Sequence, residues 1–214
     1  MDIRVILIQI FVVLFAITIH EAAHAWTALK FGDPTAAALG RASLNPLVHI
    51  DPVGTVIFPL LLIIFQQPVF GWAKPVPYNP YNLRRPRQGS LWISFAGPIS
   101  NLLTAGAAVL LFQFLKLFGA RIPDSSLLIK PLGGVSVVLF VTALINASLA
   151  IFNLIPIPPL DGSGILAGLL SEKAAAKYAR IRPYGFFIII ALMYTKILTL
   201  IFSPVQQLIA KLFT

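Results

Sequence analysis

The sequence predicts an all-α protein that crosses a membrane several times. Its 214 residues are 58% hydrophobic and only 11% charged, with a mean hydropathy of +0.89, whereas soluble domains are about half apolar and about a quarter charged. Several apolar runs also reach the ~20 residues that are needed to cross a bilayer. We therefore expect about four full transmembrane helices, a re-entrant or extended element and an interfacial helix, and we exclude a soluble or disordered chain.

The charge of the chain indicates contact with lipid rather than with nucleic acid. The net charge is +9, but the basic residues flank apolar runs, where such residues report orientation and contact anionic headgroups. We therefore expect the lipid bilayer, and no nucleic acid, as a partner. The chain contains no cysteine, which excludes disulfides, thiolate zinc sites and cysteine nucleophiles. Nothing in the sequence indicates an oligomeric state.

The whole chain, residues 1–214, is expected to form one domain. Its first element is a metal-binding helix over residues 3–31, which ends at a Gly-Asp-Pro stop signal. A signal peptide is the alternative for this N-terminus, but a cleavage site has no use for two histidines and a glutamate. Residues 33–88 are predicted to be re-entrant and extended, because the apolar run 53–67 has only 15 residues and prolines dominate the remainder.

The second half of the chain is predicted to contain three further spans. Two of them cover residues 90–118 and 132–155, and three prolines near the end of the second predict an unwound segment over 153–162. An interfacial helix over 163–182 follows, since its second half is polar and basic. The last span is predicted over residues 184–203.

The first span carries a pattern that is typical of zinc hydrolases. Residues 20–24 match H-E-x-x-H, and positions i and i+4 of a helix differ by only about 40° around its axis. His20 and His24 can therefore face one metal ion, and Glu21 can reach a water molecule beside that ion as the general base. Such side chains are costly in a membrane unless a partner such as a divalent cation neutralises them. The alternative is that they only join helices by hydrogen bonds.

A third metal ligand has two candidates. A catalytic zinc usually has three protein ligands and one open position, and His49 is the only further histidine in the chain. Asp161 is the other candidate, because it follows the prolines that end the 132–155 span. Irregular backbone at membrane depth lines a cavity or is buried in protein, so we expect this carboxylate in a polar pocket.

The combined motifs resemble those of the site-2 protease family of intramembrane zinc metalloproteases. The H-E-x-x-H pattern lies in a membrane helix, and residues 153–162 match N-x-x-P-x-P-P-L-D-G. Residues 97–101 match the G-P-x-x-N element of that family, and the block 71–77 with Asn79 and Pro80 is similar to its compact members. The resemblance implies the compact form, without PDZ or CBS domains.

The resemblance also implies a site and a substrate class. It implies one Zn²⁺ per chain held by His20, His24 and Asp161, with a water activated by Glu21 and with Asn153 near the substrate carbonyl. The implied substrates are transmembrane proteins that are cut within or near a membrane-spanning segment.

Four further residues are candidates for substrate binding, each with a structural alternative. Asn101 could instead join helices, Trp72 could anchor the chain at the membrane interface, and His49 could be structural or lie behind the metal ligands. Lys74 belongs to the stretch 71–77, which could bind an unwound substrate by strand addition. The alternative for this stretch is a plain surface loop.

The metal site requires an even number of crossings between its two halves. A re-entrant 53–67 element leaves two crossings between His24 and Asp161, whereas a spanning element makes three. The re-entrant topology places ten basic residues on one side and six on the other, against nine and seven for the spanning one. The positive-inside rule favours the former. We therefore expect a multi-pass protein of the cell membrane with its active site nearer the cytoplasmic side.

The function that these observations favour is zinc-dependent intramembrane endopeptidase activity. A membrane metal-ion transporter is one alternative, but it would need a path of sites across the bilayer and the sequence offers one cluster. A non-catalytic binder of transmembrane segments is another, but it would not need Glu21, since zinc can be retained without that residue.

Overall fold

The computed structural model describes residues 3–66, 71–119 and 129–214. Every regular element within those three ranges is helical, so the predicted all-α class is confirmed. The α-helices in chain order are α1 (Ile3–Lys30), α2 (Thr35–Ala38), α3 (Phe58–Ile64), α4 (Pro86–Gly119), α5 (Ile129–Leu154), α6 (Asp161–Leu169), α7 (Glu172–Ala179), α8 (Gly185–Met193) and α9 (Ile197–Leu212).

Three of these helices are long and apolar enough to cross a membrane by themselves. They are α1, α4 and the Leu132–Leu154 part of α5. The segment Glu172–Met193 and α9 are long and apolar enough only when they are taken together. The chain bends by 67° at the break between them. Counted as one span, this pair makes the fourth crossing, which agrees with the predicted multi-pass architecture.

Helices α1 and α4 pack antiparallel at the centre of the molecule. Nδ1 of His24, near the end of α1, lies 2.6 Å from the Ile93 carbonyl oxygen near the start of α4. About two turns earlier in α1, the Ala16 carbonyl accepts a 3.1 Å hydrogen bond from the Asn101 side chain. The end of α1 therefore lies beside the start of α4.

The segment between α1 and α4 begins and ends on the same side. The Arg84 amide donates a 3.0 Å hydrogen bond to the Phe31 carbonyl, so the two ends meet. A segment that returns to its own side crosses the membrane an even number of times, and its apolar helical stretch Pro52–Ile64 is short for a single crossing. This geometry supports a re-entrant element, although Gln67, the last residue of the predicted element, lies outside the described residues.

Helix α5 packs antiparallel to α4 through small side chains. Ala105 and Ala108 of α4 form a buried cluster with Ala143 and Ala147 of α5 and with Ile209 of α9. Small residues let helix backbones approach closely, which is how helices associate in a membrane where hydrophobicity provides no driving force between them.

The bent pair α8–α9 connects the two ends of α4. The Arg87 side chain, at the start of α4, donates to the Gly168 and Leu170 carbonyls, so the chain after α6 lies at that end. At the other end of α4, Lys116 donates a 2.6 Å hydrogen bond to the Thr214 carbonyl. The chain between residues 170 and 212 therefore runs once along the length of α4.

Several predicted boundaries differ from the structure. The helix predicted over 90–118 begins at Pro86, because proline is well suited to the first position of a helix. The unwound segment is 155–160 rather than 153–162, since Asn153 still belongs to α5 and Asp161 already begins α6.

The predicted interfacial helix 163–182 is two helices, because Leu170 is extended and Ser171 caps a new helix, α7. The predicted last span 184–203 is interrupted at 194–196. There the Thr195 hydroxyl donates to the Leu192 carbonyl and accepts from the Ile197 amide, and such side-chain hydrogen bonds compete with helix continuation.

Candidate metal centre

Three side chains from two distant parts of the chain converge between the helices. Nε2 of His20 lies 2.9 Å, and Nε2 of His24 lies 3.3 Å, from Oδ2 of Asp161. One ligand atom from each of these residues lies within 4.8 Å of the other two, and this is the group that could hold a metal ion among the described residues. The predicted convergence of the two motifs is therefore present in the fold.

The chain after α5 turns back sharply to deliver Asp161. Prolines at 156, 158 and 159 lack the backbone N–H that a helical hydrogen bond needs, so α5 ends before them. The backbone of Gly162 then passes so close to the end of α5 that a Cβ atom there would lie 2.2 Å from the Leu154 carbonyl oxygen. Only glycine permits this approach, which brings the first residue of α6 back against α1.

Hydrogen bonds at Nδ1, the ring nitrogen that faces away from Asp161, orient both imidazoles. Nδ1 of His20 lies 2.5 Å from Oδ1 of Asn101, and the amide group of Asn101 is turned this way because its Nδ2 donates to the Ala16 carbonyl and to Oδ1 of Asn146. Nδ1 of His24 faces the Ile93 carbonyl, which can only accept. Both Nδ1 atoms therefore carry a proton, and Nε2 of each ring, which faces Asp161, is the atom available to bind a metal.

This donor set fits a divalent cation. Two imidazole nitrogens and a carboxylate oxygen face one another, and Oδ2 of Asp161 is buried without an assigned hydrogen-bond partner. Ligand bonds of about 2.0–2.2 Å to tetrahedral zinc separate the ligand atoms by about 3.3 Å, which is close to the spacing here. Gly97 keeps the space open, since its Cβ would lie 2.4 Å from Nε2 of His24 and 2.6 Å from Nε2 of His20.

The cluster lies in a cavity of about 600 Å³ between the helices. Glu21 and Asn153 are the other polar side chains of the predicted site that line it, and the apolar walls come from α1, α4, α5 and α8. Nδ2 of Asn153 donates to the Leu149 carbonyl at 3.0 Å, so its second N–H remains for a ligand in the cavity. The apolar lining residues of these four helices are Ile17, Ile93, Leu149, Phe152, Phe186 and Ile189, and Pro159 and Leu160 line the cavity as well.

An extended stretch without strand pairing forms the remaining wall. Gly71, Trp72, Ala73, Pro75 and Val76 line the cavity. Trp72 therefore lies at the cavity, where its ring packs 5.1 Å from that of Phe58 and 6.3 Å from that of Phe186.

Three of the substrate-binding candidates do not reach the cavity. Asn101 is fully buried behind His20, so its contact is with a ligand side chain rather than with substrate. His49 is 1% exposed, and its Nε2 donates a 2.8 Å hydrogen bond to the Ser43 carbonyl, so it is neither a metal ligand nor a substrate contact. The exposed Lys74 contributes its main chain to the back of the wall, and its side chain is not part of the lining. Sequence alone could not show which way these side chains point.

One buried charge was not identified from the sequence. Arg41 is 5% exposed and donates to the carbonyls of Val48, Lys74 and Pro75. Burial lowers the pKa of this guanidinium from its ordinary value, and the negative charge of Glu21 opposes that shift. A basic residue in a loop carries no pattern that would have singled it out.

Comparisons with known proteins agree with this geometry. The sequence profile described as "Peptidase family M50" matches residues 8–195. The protein named "Putative zinc metalloprotease YwhC" of Bacillus subtilis (strain 168) is 35% identical over 201 residues, which cover 92% of this chain and 86% of that protein. No solved structure matches the chain.

Two mycobacterial proteins named "Putative zinc metalloprotease Rip2" are also similar. That of Mycolicibacterium smegmatis is 32% identical over 182 residues, which cover 85% of this chain and 64% of that protein. That of Mycobacterium tuberculosis (strain H37Rv) is 27% identical over 179 residues, covering 84% and 63%. The chain thus spans slightly less than two thirds of the length of these two relatives.

Proposed function

The chain belongs to peptidase family M50, and we propose that it cuts other membrane proteins within or near their transmembrane segments. It is a zinc-dependent metalloendopeptidase with several apolar helices long enough to span a membrane. The observation that carries the proposal is the convergence of His20, His24 and Asp161 beside Glu21 in a cavity between those helices.

The chemistry divides between the metal and the residues around it. A zinc ion bound by His20, His24 and Asp161 would polarise the scissile carbonyl and make water acidic enough to react near neutral pH. Glu21, which has no hydrogen-bond partner among the described residues, takes a proton from the attacking water and delivers it to the leaving amine. Asn153 directs its remaining N–H towards the negative charge that develops on the carbonyl oxygen.

The walls of the cavity suit an unwound apolar segment. Its lining is mostly apolar, and the polar side chains beside the metal cluster are those of Glu21, Ser94, Tyr78 and Asn153. The amides of Trp72 and Lys74 donate to the Gly54 and His49 carbonyls, away from the cavity, whereas no hydrogen bond among the described residues uses the main chain of Ala73. An extended substrate could pair with this free edge, which supports the strand-addition hypothesis.

The site lies nearer the cytoplasmic side in the proposed orientation. The start of α4 and the connection between α6 and α7 lie at the same end as the metal cluster, and the basic residues Arg84, Arg85 and Arg87 are exposed there. The positive-inside rule assigns that end to the cytoplasm.

The proposal is tested by measuring zinc content and cleavage in parallel. Wild type, Glu21→Gln and Asp161→Ala are purified, and each is assayed on a reporter transmembrane protein in vesicles. We expect Glu21→Gln to retain zinc and to lose at least about 10²-fold in cleavage rate, because general-base catalysis contributes that much. Asp161→Ala is expected to lose both zinc and activity, because a ligand is missing.

The same experiment decides between the proposal and its alternatives. Full cleavage by Glu21→Gln would contradict the assigned base. Retention of zinc by wild type and by Glu21→Gln with no cleavage by wild type favours a non-catalytic binder of transmembrane segments. Zinc flux into wild-type proteoliposomes favours a metal-ion transporter.

A further inference from the structure

Arg41 is a buried cation whose partners are all main-chain oxygens. Among the residues that the structure describes, no carboxylate lies within ion-pairing distance of its guanidinium, and its Nε has no hydrogen-bond partner. Burying a charge without an opposite charge is unfavourable, and hydrogen bonds to the charged group must offset that cost. Such a residue is therefore expected where its hydrogen bonds are essential to the local fold. Its position between two separate segments of the chain indicates what those bonds achieve.

The guanidinium joins the loop after α2 to the extended wall of the cavity. Its Nη1 donates to the Val48 carbonyl, while its Nη2 donates to the Lys74 carbonyl and lies 3.4 Å from the Pro75 oxygen. The planar fork of arginine can engage several acceptors in fixed directions, which a lysine ammonium on a flexible stem cannot.

Further hydrogen bonds fasten the same wall from the same side. The Lys74 amide donates to the His49 carbonyl at 2.9 Å, and the Trp72 amide donates to the Gly54 carbonyl at 3.1 Å. The Thr55 hydroxyl donates a 2.9 Å hydrogen bond to the Trp72 carbonyl. All of these bonds hold the back of the wall and leave its front to the cavity.

We propose that Arg41 is a positioning residue that holds the wall 71–76 at a fixed distance from the metal cluster, so that the wall can bind the substrate backbone. The inference rests on the proposed function, because it gives that wall a role in binding substrate. Arg41 does not touch the cavity itself. It acts through the carbonyls of Lys74 and Pro75, which directly follow the free edge at Ala73.

The first test separates substrate binding from catalysis. Arg41→Gln and Arg41→Lys are assayed for zinc content, KM and kcat on the reporter transmembrane substrate. If the wall binds the ground state and the transition state of the substrate equally, disturbing the wall changes KM and not kcat. We expect Arg41→Gln to raise KM about tenfold or more, the factor that corresponds to one hydrogen bond from a charged donor, with zinc content and kcat unchanged. Arg41→Lys is expected to rescue little, because it restores the charge but not the fork.

The second test follows the wall without any need for activity. The chain has three tryptophans, and Trp26→Phe with Trp92→Phe leaves Trp72 as the single fluorophore in the wall. In this background, Arg41→Gln is expected to shift Trp72 emission to the red and to increase its quenching by acrylamide. If wild type cleaves no reporter, the proposed function fails, and the Trp72 signal still decides the role of Arg41.

Arg87→Gln is the matched control. Arg87 also donates from its guanidinium to two main-chain carbonyls, those of Gly168 and Leu170, but it does not line the metal cavity. We expect Arg87→Gln to leave KM and Trp72 quenching unchanged.

Thr55→Val provides a second variant in case Arg41→Gln does not fold. It removes the hydroxyl bond to the Trp72 carbonyl at nearly constant volume, and we expect a smaller change of KM and quenching in the same direction. Three results would overturn the inference: full rescue by Arg41→Lys, loss of zinc in Arg41→Gln, or unaltered KM and quenching in Arg41→Gln, or in Thr55→Val where Arg41→Gln does not fold.

Discussion

Asn101 connects the metal cluster to the helices around it. It accepts from Nδ1 of His20 and donates both to the Ala16 carbonyl of α1 and to Asn146 of α5. Residues that orient a metal-bound histidine typically change metal affinity 10–100-fold when they are removed, a range that we take as about the expected size here. We therefore expect Asn101→Ala to weaken zinc binding by about that factor, measured by competition with a chelator of known affinity.

Thr104→Val is the control for this prediction. Thr104 lies on the same helix as Asn101 and donates only to the Ser100 carbonyl, so its loss should leave zinc affinity unchanged. Equal zinc affinities for wild type and Asn101→Ala would show that the fold orients His20 without the amide.

The metal ligands could be predicted at the residue level, but their supporting contacts could not. The spacing of His20 and His24 fixes their common helix face, and the prolines before Asp161 indicate an interrupted helix, so both signals are local. The Ile93 carbonyl carries no side-chain signature, and the partner of Asn101 depends on how α1 and α4 are rotated against each other. Sequence reasoning therefore left Asn101 open between a substrate contact and a contact that joins helices, and it missed Arg41 because that side chain acts on distant main-chain atoms.

At the scale of elements, Asp33 ties the end of α1 to the start of α4. Its fully buried carboxylate accepts hydrogen bonds from Thr35, from the Asn79 amide and from the Asn82 side chain at 2.5–3.2 Å. Burial alone would raise the pKa of Asp33, but these hydrogen bonds favour the charged form and hold it below its ordinary value. These hydrogen bonds of Asp33 thereby hold together the two ends of the segment that contains the re-entrant element.

The stability that Asp33 contributes should depend on pH. Because its pKa is lower in the folded state, the contribution is present above the unfolded pKa of about 3.9 and is lost as the pH falls through the folded value. We expect Asp33→Asn to lower Tm at pH 7 and to flatten the decline of Tm below about pH 4. Thermal unfolding in detergent from neutral to acidic pH measures both effects. Loss of zinc at low pH affects both proteins alike, so it cannot produce a difference between their curves. Parallel curves of Tm against pH for wild type and Asp33→Asn would therefore contradict the proposed role of the Asp33 carboxylate.

The elements that were predicted least accurately are those whose ends depend on single hydrogen bonds. The apolar runs made α1, α4 and α5 predictable, because hydrophobic length alone determines a span. The break between α6 and α7 depends on the Ser171 cap, and the bend before α9 depends on the Thr195 hydroxyl. One polar side chain competing with the helix backbone leaves little trace in the composition of a 20-residue window.

At the scale of the whole molecule, the metal site and the topology constrain each other. His24 and Asp161 can meet at one depth only if the chain crosses an even number of times between them, and the Phe31–Arg84 hydrogen bond closes the intervening segment on one side. The remaining crossings between them are α4 and α5, and α8–α9 supplies the last. The charge distribution of the sequence supports an even number of crossings. Only contacts between distant residues, such as Phe31 and Arg84, bring the two ends of the intervening segment together.

This topology places the two ends of α4 on opposite sides of the membrane. The chain contains no cysteine, so single cysteines can be introduced at exposed basic residues, and Arg85→Cys and Lys211→Cys mark the start and the far end of α4. With an impermeant maleimide, we expect Arg85→Cys to react only in inside-out vesicles and Lys211→Cys only in right-side-out vesicles, because the end richer in basic residues remains in the cytoplasm. Detergent-solubilised samples, in which both should react, are the control. Labelling of both positions from one face would rule out the single crossing by α8–α9, and a reversed pattern would place the metal site near the outer face.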